Sequence, residues 1–110
     1  MIIEQTDIAT IIKNDGKSIE NFLKEFSENY TNFADNNIII DFSDNKGEEK
    51  QNILLFLQYS EEHQNNGMSF VIVMNGINTD DIPDEIIIVP SLTEANDIIE
   101  MENIERDLGF

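Results

Sequence analysis

The sequence predicts a single α/β domain over residues 1–110, with a mixed, mainly parallel sheet. Three observations predict it. Uninterrupted apolar runs at 38–40, 70–74 (within the strand 69–74) and 86–89 read as strands buried on both faces. The first and the last are followed by segments of helical character. The N-terminal 13 residues hold two further β-like pieces, 2–5 and 8–13, joined as a hairpin by a turn at Thr6 and Asp7.

The elements follow in order. Asn14-Asp15-Gly16 breaks the second piece, and Ser18 is placed to cap a helix. Ile19, Phe22, Leu23, Phe26, Tyr30 and Phe33 then form one continuous stripe at helical spacing. Its aromatics read as core packing rather than a cofactor box. Asn36-Asn37 ends that unit before the strand IIID. A helix is expected from about 48 to 65, stopped by Asn66-Gly67. The strand SFVIVM ends at Asn75-Gly76, the segment INTDDIPD leads to IIIV, and Pro90 stops the ladder. Ser91-Leu-Thr-Glu94 is a capping box, so the last helix starts near Leu92. Leu92, Ala95, Ile98 and Ile99 share one face of it, whereas Met101, Ile104 and Leu108 lie nearly opposite. The expectation is a bend near 100–102, or a second stripe used by another surface, another subunit included.

Composition excludes several function classes. The formal net charge is −17, and the six basic residues (Lys13, Lys17, Lys24, Lys46, Lys50, Arg106) are scattered. A phosphate backbone or an anionic bilayer requires a basic stripe, so neither nucleic acid nor a membrane is an expected partner. No apolar run approaches the roughly 20 residues of a membrane span. The start MIIEQTDIAT lacks a positive region and holds Glu4 and Asp7, which argues against a secretory signal. Cysteine is absent, so disulfides and thiol chemistry are too, and a cytoplasmic protein fits best.

The stretch IIIDFSDNKGEEK, from 38 to 50, is the first place to look for chemistry, because it joins a buried strand to a helix. Asp41, Ser43 and Asn45 have the 1-3-5 oxygen spacing of a calcium loop, but the required glycine falls at Gly47 instead of Lys46, and position 12 is Asn52. His63 is the sole histidine, which rules out the usual zinc patterns. It reads as a partly exposed imidazole near the carbonyls that end a helix. No metal or other cofactor is expected. There is no nucleophile elbow and no phosphate-binding glycine loop. Carboxylate pairs are too abundant for one to stand out, so an enzyme is not the expected reading. A phosphate on Ser43 would meet helix amides but also Asp44, Glu48 and Glu49, so Ser43 reads first as a turn residue.

The run IIIDFS, a loop of about seven residues, NILLFLQYSEEHQNNG, SFVIV and the final VPSLTEANDII resemble the STAS domain, the sulfate-transporter and anti-sigma-factor-antagonist family. The likeness covers nearly the whole chain, and the tail EMENIERDLGF is similar to that of a divergent subgroup of short bacterial relatives. The resemblance implies a STAS-like domain with helices packed mostly on one face of the sheet. It implies a non-catalytic regulatory module that binds a protein partner through the loop before the second helix and that helix's start. The phosphorylatable serine that family members carry there falls at Glu49-Lys50, so the usual switch is missing. The candidate contact residues are Ser43, Asp44, Lys46, Glu49, Lys50, Leu55 and Tyr59, the last two standing at i and i+4 as a small apolar patch. A small-ligand domain for a nucleotide or a lipid is the alternative, and a cryptic hydrolase comes third. With helices on one face, the other needs closing by the hairpin or a second chain, so a homodimer is an expected arrangement.

Overall fold

The computed structural model describes residues 1–44 and 50–109, with the backbone alone at Lys50 and Asp81. A five-stranded sheet runs in the order β1 (Ile2–Gln5), β2 (Thr10–Lys13), β3 (Ile38–Asp41), β4 (Phe70–Val73), β5 (Ile87–Val89). The hairpin β1–β2 is antiparallel and the remaining pairs are parallel. Among the described residues four α-helices accompany it: α1 (Ile19–Asn29), α2 (Lys50–Leu54), α3 (Leu57–Asn65) and α4 (Leu92–Asp107). This is the mixed, hairpin-first α/β architecture that the apolar runs predict.

Strand neighbours in space are neighbours in sequence. Crossovers of one hand in such a monotonic sheet all land on the same face, and α1, α2 and α3 do. Their side chains Phe22, Phe26, Ile53 and Phe56 form one core with Ile12, Ile38, Ile40, Phe70 and Ile72. The alternate strand residues Ile11, Ile39, Val71, Val73 and Val89 point the other way, onto Ala95 and Ile99 of α4. Both faces of β3 and β4 are therefore buried, which is why their sequence shows no polar alternation. On the second face α4 of the same chain supplies a cover.

Local chemistry sets the boundaries. Ser18 caps α1 by accepting the Asn21 amide at 3.2 Å. The aromatic stripe continues past α1 through a 3-10 turn, Tyr30–Asn32, to buried Phe33. Gly67, at φ +81°, ends α3: Met68 N–H donates to the His63 carbonyl at 3.1 Å and Gly67 N–H to that of Gln64 at 3.0 Å. That is a Schellman stop, and it needs the left-handed residue glycine supplies. Ser91 accepts the Glu94 amide at 3.2 Å, as its capping box predicts.

Two expectations are corrected. The single helix expected over 48–65 is two helices, because the chain turns at Leu55-Phe56 and drives Phe56 fully into the core. Phe56 N–H closes α2 on the Ile53 carbonyl at 3.0 Å, and the Phe56 carbonyl opens α3 by accepting from Ser60 at 2.9 Å. The last helix, in turn, is one uninterrupted α-helix of 16 residues with no break at 100–102. The bend is thus overturned, while the second apolar stripe, the other alternative, faces solvent.

Candidate functional site

Parallel sheets offer ligands the carboxyl ends of their strands, and the loop singled out in the sequence lies there. Lys13 and Asp41 are register partners at the ends of β2 and β3. The Asp41 carboxylate is nearly buried, and its Oδ1 accepts the Ser43 amide at 2.9 Å, turning the chain out of the strand. Lys13 Nζ reaches back to Asp44 Oδ2 at 3.0 Å. That hydrogen bond and charge raise the Lys13 pKa above the ordinary lysine value, with a smaller contribution from Asp41. Beside them, Asn14 donates from Nδ2 to the Lys17 carbonyl at 2.6 Å and accepts the Lys17 amide at 3.0 Å. The polar groups of this edge thus hold one another, and the side chains of Ser43 and Asp44 stand exposed above them.

The other contact candidates separate. Lys46 and Glu49 lie outside the described residues, as does the side chain of Lys50 and the Asn45–Gly47 part of the calcium-like spacing. Leu55 is 44% exposed in the turn between α2 and α3. Tyr59 does not join it on one helical face, because the turn at Leu55-Phe56 rotates α3 away from α2. Its ring packs inward instead, with its centroid 5.2 Å from those of Phe26 and Tyr30. Of the expected patch, Leu55 alone among the described side chains is a large apolar group open to solvent.

His63 also departs from expectation: it is fully buried, not partly exposed. Its Nε2 lies 2.6 Å from the Asn36 carbonyl, which can only accept, so Nε2 carries the proton. Nδ1 then accepts the Tyr30 hydroxyl at 2.8 Å. Burial pushes the imidazole pKa below its ordinary value, against the opposing pull of the Asn36 carbonyl and the Glu62 charge. Burial likewise raises Tyr30, helped by Glu62. Both ring nitrogens are occupied in holding α3 to the segment that precedes β3, at the opposite end of the sheet from Ser43. Position alone does not reveal this, since Tyr30 stands 33 residues away.

A second polar assembly had no counterpart in the sequence reading. Arg106 of α4 donates to Ser69 Oγ at 3.0 Å and Asn37 Oδ1 at 3.4 Å, and it also meets Asn103. Asn37 further donates to the Ile8 carbonyl at 3.0 Å and accepts the Ser69 amide at 2.9 Å. The clamp binds the last turns of α4 to the entries of β3 and β4. The available signal was that Arg106 is the lone base in an otherwise acidic helix.

Among the described residues, clefts open at the surface. One of about 230 Å³ lies at the amino edge, lined by Thr6, Asp7, Thr10, Asn36 and Met68 among others. Another of about 240 Å³ is formed by Thr79, Ile82, Pro83, Asp84 and Ile86–Ile88. Among the described residues no three His, Cys, Asp or Glu side chains gather to hold a metal ion, and no helix is long and apolar enough to cross a membrane. Compared with known proteins, the chain matches no family model and no curated protein.

Proposed function

We propose that this protein is a non-catalytic, STAS-like regulatory module of the cytoplasm that docks a protein partner at the carboxyl edge of its sheet. The Ser43–Asp44 turn and Leu55 are its contacts. The observation that carries the reading is Leu55: a large apolar side chain held open to solvent in a turn the core forces on the chain. Phe56 must enter the core, so Leu55 is lifted out of it. The Ser43–Asp44 turn is braced by Asp41 and by the Lys13–Asp44 pair, and it would supply polar contacts to complement the apolar one at Leu55.

The test compares proteins retained from a lysate of the native host by wild-type chain and by Leu55→Asp. The substitution is expected to shift stability by no more than about 0.5 kcal/mol, because the position is exposed. At least one wild-type partner should be lost. If the folded variant keeps every one of them, the carboxyl edge is not the docking surface.

A further inference from the structure

Helix α4 is two-sided. Ala95, Ile99 and the Arg106 clamp face the sheet, and the opposite side carries Met101, Ile104 and Leu108, which are 56%, 59% and 67% exposed. At 100° per residue these three fall within about 60° of arc, a stripe roughly 10 Å long. Glu94, Asp97, Glu100, Glu105 and Asp107 surround it, all exposed. The helix's lone base, Arg106, is turned inward and engaged, so this outer face is apolar at its centre and uniformly anionic at its rim.

From this we infer that the outer face of α4 is a second docking surface, and that its occupant is a basic amphipathic helix of a protein partner. Apolar side chains at helical spacing would cover Met101, Ile104 and Leu108, and lysines or arginines would meet the surrounding carboxylates. Charge selects this occupant over the others. A nucleic acid would bring phosphates against five carboxylates. A second copy of the chain would bring another −17 charges to the same rim. The surface is distinct from the carboxyl-edge site, since α4 covers the opposite face of the sheet from α2 and α3. The two sites together would let one small domain bridge two partners.

The probe is a fluorescein-labelled 18-residue peptide of leucine and lysine with leucines at helical spacing, titrated into the full chain and followed by anisotropy. Controls are a scrambled peptide of the same composition and sedimentation of the chain alone. Wild type should bind the amphipathic peptide saturably and more weakly at higher salt. Ile104→Asp should weaken binding about tenfold, and Met101→Asp should act alike. The double variant Glu100→Lys/Glu105→Lys should also weaken it and flatten the salt dependence. Leu55→Asp should bind as wild type does, so failure here is separable from failure at the carboxyl edge. Unchanged binding by the folded Ile104 and Met101 variants overturns the inference. So does equal binding of the scrambled peptide, which marks a general polyanion effect. Dimers of wild type that Ile104→Asp disperses would assign the surface to a second copy instead.

Discussion

The two faces of the sheet are built from different materials. One is aromatic: Phe22, Phe26, Phe42, Phe56 and Phe70 are fully buried there beneath three helices. The other is aliphatic and thin, with isoleucine, valine and alanine under α4 alone. On the aromatic side Phe26 is central, its ring centroid 5.2 Å from Tyr59, 6.1 Å from Phe56 and 6.2 Å from Phe70. Large rings reach between layers and tie several helices together. Short branched side chains allow one helix to lie close, but they leave that helix's far side without a covering element. The difference explains why the buried polar pin at His63 sits on one side and the exposed apolar stripe on the other.

The largest expected effect tests the aromatic face. Phe26→Ala should destabilise the fold by about 3–5 kcal/mol in denaturant unfolding, since α1, α3 and β4 all lean on that ring. Ile99→Ala on the thin face should cost less, about 2–3 kcal/mol, because α4 can settle toward the sheet. Equal losses would erase the distinction between the faces.

The next effect concerns His63. Its folded pKa is depressed, so the unfolded chain takes up a proton first as the pH falls. The stability it contributes is complete above the unfolded imidazole value of about 6.5 and declines on acidification below it. Thermal melts between pH 7.5 and 5.5 are therefore expected to fall in wild type and to flatten in His63→Gln, which also loses about 2–4 kcal/mol at neutral pH. Relief of carboxylate repulsion acts in the opposite direction, nearer the carboxylate range of about 4. A melt that rises through this window would show repulsion to dominate.

A smaller effect belongs to the cap of α4. Ser91→Ala should remove about 1 kcal/mol, measured by the same unfolding curves. The smallest belongs to the exposed apolar groups: Leu55→Asp and Ile104→Asp should each change stability by no more than about 0.5 kcal/mol while altering binding. A substantially larger loss at Ile104 would mean that the outer stripe of α4 supports the fold.

What could be read from the sequence follows from how local its causes are. The strands, the α1 stripe and the Ser18 and Ser91 caps are set by residues a few positions apart, and they appear where the pattern puts them. The turn at Leu55-Phe56 carries no glycine or proline, so the run KQNILLFLQY looks like one helix; a tertiary demand on Phe56 divides it. The second stripe of α4 was legible, but not its fate. Apolar spacing states which residues share a face and does not state that the face is covered. At the carboxyl edge, Asp41, Ser43 and Asp44 were visible as a loop, while the Lys13–Asp44 pair that braces it depends on strand register. The Arg106 clamp likewise joins residues 37 and 69 apart in the chain from their partner.

The order of elements also has a temporal side. Each strand of the parallel part can add to the one made just before it, so the aromatic layer closes progressively as the chain grows. The aliphatic layer has no cover until α4 exists. At about 5–20 residues per second, the stretch from Pro90 to the end of α4 at Asp107 takes roughly one to four seconds to synthesise. Throughout that interval Ile39, Val71 and Val73 lack the helix that packs on them in the complete fold. Association through that apolar face is therefore most favoured just before α4 arrives.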